Sequence, residues 1–436
     1  MFDRRITLGF VLMALLALSL PAQAELITRF VTQPPQELST VSRFPVSVEL
    51  YDTTAGARVN ATGVTITLGL YRCPGYPAAC SVVVVQNPFT TANTVAGLAT
   101  FNNLTIDAAG TDHYFAASAP GYTGSTSTVR DVEQAVLRFS SEPQAPISSL
   151  SRMDLQVSIH VGVGASAPVD TYADNVSVRL GLYRCPGYPG SCSVTIIDSN
   201  FVNGNANNGV VNFNNQIVGT PADDYYFFAS TPSETSTGST SDVFDVVQAV
   251  LNWSTFPDEP ITTVSRMDLQ VQVRVGPGAE APVDLQADSV PLRLALYRCP
   301  GYPASCSVEI IDTNYVNGTA TNGVANFFNV VVGNPTTDYY FFVTSPTEIS
   351  TGSTSPVFDV VQPVLRYSIP VMEPVSTASR LDFQVAIHTG PAPDSPIDTQ
   401  ADSVPVRLAL YRCPGYPSSC TVIIIDTNFA NGLAVN

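Results

Sequence analysis

The chain has 436 residues, with 36 acidic and 19 basic side chains and a formal net charge of −17. Such acidity favours solubility and argues against nucleic acid or an anionic membrane surface as a partner. All of the basic side chains are arginine, which excludes lysine chemistry such as Schiff-base formation or a spontaneous Lys–Asn cross-link.

Residues 1–24 have the pattern of a cleaved secretory signal peptide. Arg4 and Arg5 precede an apolar run over 6–20, and Ala22-Gln23-Ala24 offers the small residues that signal peptidase requires. The run is shorter than the ~20 residues that a membrane-spanning helix needs, and no later stretch is apolar over that length. We therefore expect export, no membrane insertion of the mature chain, and a mature net charge of −18, because cleavage removes Arg4, Arg5 and Asp3.

One motif, Leu-Tyr-Arg-Cys-Pro-Gly-Tyr-Pro followed by a second cysteine, occurs four times. In an exported chain, eight cysteines in close pairs favour disulfides. Two thiols without an adjacent histidine leave a zinc site half filled, and the redox spacing Cys-x-x-Cys is absent. We interpret each motif as the tip of a β-hairpin stapled by its own disulfide, with the pairs Cys73/Cys80, Cys185/Cys192, Cys299/Cys306 and Cys413/Cys420.

The motif marks four copies of one domain. Its first cysteines are 112, 114 and 114 residues apart, which is close to the length of an immunoglobulin-like domain. Apolar and polar residues alternate with period two, as in 155–161 and 269–275, and about seven short strands per copy predict a two-sheet β-sandwich. The predicted domains are repeat 1 (25–134), repeat 2 (135–248), repeat 3 (249–362) and repeat 4 (363–436).

The junctions between copies are short and have no Gly/Ser/Pro-rich spacer. The last strand of one copy therefore runs directly into the first strand of the next, which predicts tandem immunoglobulin-like sandwiches in a semi-rigid rod. Each domain would be about 35 Å long.

Repeat 4 is incomplete in this sequence. It has 23 residues beyond Cys413, whereas repeat 3 continues for 63 beyond Cys299. The first interpretation is a truncated record of a longer protein, and the alternative is that another chain donates the missing strands.

The segment from Gly97 to Ser127, Gly-Leu-Ala-Thr-Phe-Asn-Asn-Leu-Thr-Ile-Asp-Ala-Ala-Gly-Thr-Asp-His-Tyr-Phe and onward, resembles the last three strands of bacterial Ig-like domains. These are the tandem modules of invasin- and intimin-type surface proteins. The resemblance implies an adhesin stalk whose recognition lies in a terminal domain. In addition, Tyr114, Tyr226 and Tyr340 resemble the tyrosine corner of Greek-key sandwiches.

Two sets of side chains are candidate binding sites. The stiff hairpin tips expose one tyrosine each and could form a multivalent contact surface, or could be stapled for stability alone: Tyr76, Tyr188, Tyr302 and Tyr416. The alternation places Cys185 in phase with outward-facing Arg179 and Tyr183, so the staple should be peripheral.

Aspartates also recur in pairs four residues apart, in the loop before the hairpin: Asp170/Asp174, Asp284/Asp288 and Asp398/Asp402. Oxygen ligands in a loop suit calcium, but repeat 1 has Arg58 and Thr62 there. The alternative is a solvated acidic loop. No other cofactor is expected.

Catalysis is not expected. No histidine position is shared by all four copies, because His113 lies where other copies have Tyr225 and Tyr339, and His160 and His388 match Tyr51 and Arg274. No nucleophile elbow or phosphate loop occurs. We expect a non-catalytic, secreted, cell-surface or periplasmic stalk or adhesion module of bacterial origin, whose partner is a protein or glycan on a host or neighbouring cell. The alternatives are a soluble extracellular protein that binds through the hairpin tips, and spacer domains of an extracellular enzyme whose catalytic domain lies beyond residue 436.

Overall fold

The structure, a computed structural model, describes residues 25–190, 192–278, 280–369 and 373–435. The predicted signal peptide, residues 1–24, lies outside this part of the chain. The regular elements described are all β-strands, and none of the described segments forms a helix that could cross a membrane. The chain divides into two compact units. Unit 1 holds repeat 1 together with 135–142, 154–213 and 226–242, and unit 2 holds 143–153, 214–225 and the chain from 243 onward.

Repeat 1 lies wholly in unit 1. Its strands are β1 (Leu26–Thr32), β2 (Phe44–Asp52), β3 (Ala57–Arg58), β4 (Thr65–Arg72), β5 (Val83–Asn93), β6 (Leu98–Leu104), β7 (Gly110–Ala119), β8 (Tyr122–Thr126) and β9 (Arg130–Val132). They are ordered β3-β2-β1-β8-β7-β4-β5, with β6 paired to β2 and β9 to β7. The strand β5 is therefore an edge.

Repeat 2 contributes to both units. Its strands are β10 (Ala135–Ser141), β11 (Ile147–Ser148), β12 (Met153–Val161), β13 (Ser177–Arg184), β14 (Thr195–Asn205), β15 (Val210–Gln216), β16 (Ala222–Ser230), β17 (Ser236–Thr237), β18 (Ser239–Thr240) and β19 (Phe244–Val247). Within unit 1, β10 pairs with β12 and β17, β13 pairs with β14, and β16 pairs with β18. Within unit 2, β11 pairs with β19 in parallel.

Repeat 3 lies wholly in unit 2 and shows the complete sandwich. Its strands are β20 (Ala249–Thr255), β21 (Ile261–Thr262), β22 (Met267–Val275), β23 (Val290–Arg298), β24 (Glu309–Ala320), β25 (Val324–Val330), β26 (Thr336–Thr344), β27 (Ser350–Thr351), β28 (Ser353–Thr354) and β29 (Phe358–Val361). One sheet has the order β25-β22-β20-β27, and the other has the order β21-β29-β26-β23-β24 with β28 paired to β26.

The described residues of repeat 4 form fewer strands: β30 (Val364–Ile369), β31 (Gln384–His388), β32 (Pro405–Arg412) and β33 (Ile423–Leu433). They form two two-stranded sheets, β30-β31 and β32-β33. Leu365 and Tyr367 occupy the sequence positions of Leu251 and Trp253 in repeat 3. Leu365 is 55% exposed, whereas Leu251 is 1% exposed, so the fourth copy lacks the packing of the third.

The predicted alternation is confirmed. In β22, Leu269, Val271 and Val273 are buried while the glutamines between them are half-buried. The buried side chains of β22 pack with those of β23, β26 and β29, and Phe341 and Phe358 lie in the same cluster. The chain is therefore all-β and consists of tandem immunoglobulin-like β-sandwiches, as predicted.

The tyrosine-corner prediction named the wrong residues. The buried Tyr225 donates a hydrogen bond from its hydroxyl to the carbonyl of Thr220 at 3.0 Å. The neighbouring Tyr226 lies on the opposite face of the strand and stacks on Tyr183, with ring centroids 5.5 Å apart. Because side chains alternate along a strand, an error of one residue exchanges the core face for the outer face.

We expect Tyr225→Phe to lower the free energy of unfolding by about 1 kcal/mol, because it removes one hydroxyl bond from a buried position. The matched control is Tyr226→Phe, which keeps the stacked ring and should change stability by less than ~0.5 kcal/mol. Thermal unfolding of the two variants checks this. Equal effects would show that the Tyr225 hydroxyl bond does not stabilise the sandwich.

Candidate functional site: stapled hairpins and repeat junctions

Each predicted cysteine pair is bonded within its own hairpin. The Cα atoms are 5.0 Å apart in Cys73–Cys80 and Cys185–Cys192, 4.9 Å apart in Cys299–Cys306 and 5.1 Å apart in Cys413–Cys420. Each staple joins two antiparallel strands just beyond their last paired residues, as between β13 and β14. Four such disulfides are typical of an oxidising compartment, outside the cell or in the periplasm.

The two cysteines of a staple differ in their exposure, so the prediction of a peripheral staple is wrong for the first cysteine in repeats 1 to 3. The second cysteine of each pair is exposed, and the first is buried, with at most 5% exposure, in repeats 1 to 3. The exposed members are Cys80, Cys192, Cys306 and Cys420. The buried members are Cys73, Cys185 and Cys299. Each of these three disulfides therefore connects the border of the core to the outer part of the hairpin.

The alternation argument fails at the first cysteine because β23 ends one residue before Cys299, so the side-chain period of the strand no longer applies. The backbone amide of Cys299 instead donates to the carbonyl of Asp338 at 2.8 Å. The carboxylate of Asp338 accepts from the amide of Gly301 at 3.2 Å. These bonds hold the start of the tip against the neighbouring strand β26.

The hairpin tips are exposed. Tyr76, Tyr188 and Tyr302 are each 55% exposed, and Tyr416 is 79% exposed. The preceding glycine turns the chain sharply: Gly301 has φ +89°, and a Cβ there would lie 3.0 Å from the carbonyl of Ser305. A side chain other than glycine would be strained at this position, so the turn geometry depends on it.

Beyond each staple, an apolar strip runs along the edge strand. We define the strip as the exposed β-branched residues at the start of β5, β14, β24 and β33: Val82, Val83, Val84, Val85, Val194, Ile196, Ile197, Val308, Ile310, Ile311, Val422, Ile423, Ile424 and Ile425. In repeat 2 a register shift between Leu180 and Leu182 separates this outer half of the hairpin from the half that covers the core. The strip therefore lies outside the sandwich.

A second recurring feature joins successive repeats. In unit 1, the hydroxyls of Ser39 and Ser42 in repeat 1 both donate to Oδ2 of Asp170 in repeat 2, at 2.5 and 2.6 Å. All three residues are buried. We call this arrangement the clasp.

The clasp recurs twice in unit 2. Ser148 and Ser151 donate to Asp284 at 2.5 and 2.6 Å, and Thr262 and Ser265 donate to Asp398 at 2.6 Å each. The other carboxylate oxygen of each aspartate accepts a backbone amide, as that of Asp284 does from Gln286 at 3.0 Å. Each buried carboxylate thus has three donors, which offset its loss of hydration.

Further contacts surround the clasp between repeats 2 and 3. The amide of Arg152 donates to the carbonyl of Gln286 at 2.9 Å, and its guanidinium forms a largely buried ion pair with Glu348 at 2.9 Å. Ser149 donates to the carbonyl of Ile349 at 2.6 Å. Leu150 is fully buried within the core cluster of repeat 3. The segment 148–152 of repeat 2 therefore packs against repeat 3 through both polar and apolar contacts.

The solvated-loop expectation is wrong for Asp170, Asp284 and Asp398, which are at most 6% exposed. The calcium prediction gains no support from their surroundings, because protein donors already bind both oxygens of each carboxylate. Asp174 serves the neighbouring turn, since it accepts from the amide of Asn208 at 2.6 Å. Asp288 and Asp402 instead accept from the hydroxyl of the serine that follows each of them, at 3.5 and 3.2 Å. In the described part of the chain, no group of three or more His, Cys, Asp or Glu side chains could hold a metal ion.

Repeat 1 replaces the clasp aspartate by Arg58. The guanidinium of Arg58 donates to Glu49 at 2.7 Å, and Arg29 donates to the same carboxylate at 2.6 Å. Burial acts to raise the pKa of Glu49, but the hydrogen bonds from Arg58 and Arg29 outweigh it and hold that pKa below its usual value. Repeat 1 thus has an internal ion-pair cluster where repeats 2 to 4 have an acceptor for the preceding repeat.

The histidines make structural contacts. The Nδ1 atoms of His160 and His388 each donate to a carbonyl seven residues later, that of Ala167 and that of Ser395, both at 2.7 Å. His113 is buried, and its Nδ1 donates to Gly110 at 3.1 Å. Burial, with the nearby Arg72, lowers the pKa of His113, so its ring is neutral at pH 7.

Sequence reasoning missed the donors of the clasp. They belong to a segment with two Ser/Thr residues, one further residue, then Ser-Arg, which recurs at 39–43, 148–152, 262–266 and 376–380. Aligning the copies would have found this segment. Its meaning was hidden because serine and threonine are frequent in loops and the partner lies about one domain further along.

No protein-family model matches the chain, and no curated protein matches it. Among solved structures, the three N-terminal domains of the bacteriophage RB49 highly immunogenic outer capsid protein (Hoc) align over 78% of this chain and 99% of that one, with 10% identity and a TM-score of 0.23. Sidekick-1 immunoglobulin domains 1–5 align over 78% of this chain and 60% of that one, with 13% identity and a TM-score of 0.24. Drosophila OTK extracellular domains 3–5 align over 79% and 98%, with 13% identity and a TM-score of 0.19. Likenesses this low carry no argument about function.

Proposed function

We propose that this protein is a non-catalytic stalk or adhesion module of the bacterial cell surface, exported by a cleaved signal peptide. The observation that supports the proposal most is the clasp, which occurs at three successive junctions with the same chemistry. The resemblance of 97–127 to bacterial Ig-like stalk domains agrees with this role. The distal partner would be a protein or glycan on a host or neighbouring cell.

A stalk must resist bending at its junctions. A flexible linker leaves neighbouring domains free to move. Each clasp instead holds one repeat to the next through hydrogen bonds to a buried carboxylate. Breaking it would leave a buried charge or buried hydroxyls without partners, at a cost of several kcal/mol. The proposed role of the clasp is therefore to transmit force and orientation from one repeat to the next.

Small-angle X-ray scattering of the full chain tests this role. The triple variant Asp170→Ala, Asp284→Ala, Asp398→Ala should show a broader distance distribution and more flexible scattering than the wild type. The control, Asp174→Ala, Asp288→Ala, Asp402→Ala, removes the same charge from the same loops and should scatter like the wild type. Wild-type scattering from the clasp variant would contradict the stalk proposal.

A second candidate function is recognition by the hairpin tips, which is favoured by the exposure of all four tip tyrosines. Replacing Tyr76, Tyr188, Tyr302 and Tyr416 with alanine should leave the melting temperature nearly unchanged, because exposed side chains contribute little to stability. The same change should abolish binding to a target cell surface. Undiminished binding by the fourfold variant would exclude the tips as the recognition site.

A further inference from the structure

We propose that the apolar strips are an interface for a second copy of this chain, in which the outer halves of the edge strands pair with each other in antiparallel fashion. This inference does not rest on the stalk role, because the strips lie on the hairpins and the clasps lie at the junctions. The partner at this interface is a second copy of the same chain. The contact consists of backbone hydrogen bonds between the edge strands and packing of their β-branched side chains.

The first support is the position of the strips. In repeat 3, β24 is the last strand of its sheet and pairs only with β23 in that sheet order, so one side of its backbone is open. Ile310 is 64% and Ile311 is 44% exposed. Neighbouring residues on a strand point to opposite faces, so the outer hairpin has apolar side chains on both faces. Such an edge is a template for another strand.

The second support is the scarcity of charge in the strips. Natural edge strands avoid pairing through inward-pointing charges, lysine, proline or a covering segment. This chain has no lysine, and 82–87 contains no charge. The one charged residue inside a strip, Glu309, is paired with Arg298 at 3.4 Å. Charge therefore does not block pairing within the strips themselves.

The third support concerns the partner. Two copies of a chain with a net charge of −17 repel each other electrostatically. The strips are almost free of charge, so this repulsion is weakest where two copies meet at their strips. Two identical edges in antiparallel contact are self-complementary, which is the geometry of a two-fold interface. A basic partner would instead need carboxylates in the contact.

The area also favours a second copy. Three or four half-exposed β-branched side chains and a tip tyrosine offer roughly 300–400 Å² per hairpin, against about 800 Å² per partner in a standard stable interface. One hairpin alone is too small. A second copy carries the same number of strips at the same sequence spacing, so two or more pairs can form within one complex and reinforce one another.

Sedimentation velocity of the full chain over a wide concentration range tests the proposal. We expect a monomer–dimer equilibrium that strengthens as salt is added, because salt screens the repulsion between the acidic copies. Hydrogen exchange should show slower exchange of the amides of 82–86, 194–198 and 308–312 at high protein concentration. This second measurement locates the interface.

The decisive variant is Val84→Lys, Ile196→Lys, Ile310→Lys, which places like charges opposite one another and should weaken the dimer at least about a hundredfold. Its control is Val95→Lys, Val163→Lys, Phe328→Lys, at side chains that are 72%, 78% and 66% exposed outside the strips. Both variants change the net charge equally and keep the core, which circular dichroism will confirm. The control should dimerise like the wild type.

Three results would overturn the proposal. The first is a wild-type chain that stays monomeric at all concentrations. The second is a dimer that both variants weaken equally or whose protected amides lie outside the strips. The third is a chain that remains monomeric but binds an unrelated β-strand peptide at the strips, which would assign the edge to a different partner.

Discussion

Asp284→Ala will lower the free energy of unfolding of repeat 3 by about 3 kcal/mol. The change removes a carboxylate that accepts two hydroxyl bonds and one amide bond, and hydrogen bonds to a charged group contribute about 1.5–3 kcal/mol each. Ser148 and Ser151 remain buried without their acceptor. The substitution also removes the desolvation cost of the buried carboxylate, which offsets part of this loss. The net change in the free energy of unfolding is therefore smaller than the sum of the three hydrogen bonds.

The readout is built into the chain. Trp253 is its only tryptophan, and it packs against the core of repeat 3. Its fluorescence during guanidinium unfolding therefore reports on the repeat that contains Asp284. The control Asp288→Ala removes the same charge four residues later, at an exposed position, and should shift stability by less than ~0.5 kcal/mol. Coincident unfolding curves for both variants would show that the clasp adds no stability.

Gly323→Ala should destabilise repeat 3 by about 3 kcal/mol or more. Gly323 has φ +76°, and a Cβ there would lie 2.3 Å from the carbonyl oxygen of Asp284. The backbone of Asp284 would have to shift to relieve this clash. It is held in place by the clasp and by a hydrogen bond from the Asp284 amide to the carbonyl of Val273 at 2.8 Å. Left-handed backbone strain and a backbone clash add together at this position.

The same fluorescence experiment checks this expectation. Gly333→Ala is the matched control, because no atom lies within 4 Å of its added Cβ and its φ is not left-handed, and it should be neutral or slightly stabilising. In combination with Asp284→Ala, the cost of Gly323→Ala should fall, since the Asp284 loop is then free to move. A Gly323→Ala protein as stable as the wild type would contradict this prediction, because it would show that the loop containing Asp284 can shift without lowering the free energy of unfolding.

The sequence predicted the hairpins well because their information is local. The two cysteines of each pair are seven positions apart, and strands that adjoin in sequence pair within a short loop. The period-two pattern predicted the buried face of β12 and β22 for the same reason. Local reasoning failed where a strand ends, at Cys299, and where the phase was wrong by one residue, at Tyr225.

The junctions could not be predicted in this way. The clasp joins hydroxyls and carboxylates that are 128 to 136 positions apart, and no local pattern distinguishes a serine that is buried by the next domain from one in a solvated turn. The aspartates recur as a pair in the sequence, but the burial of the first one depends on the preceding repeat. Exposure of the β-branched strips likewise depends on the outer hairpin projecting beyond the sandwich.

The sequence alone is enough to predict the all-β class, the fourfold repeat, the disulfide pairing and the core face of most strands. These follow from spacing and period, which act over a few residues. Only the folded chain shows which aspartates are buried, which cysteine of a staple contacts the core, which tyrosine hydrogen-bonds to the backbone and which strand lies at the edge of its sheet. Those outcomes depend on which surfaces lose water when distant segments pack together, and that is a property of the folded chain.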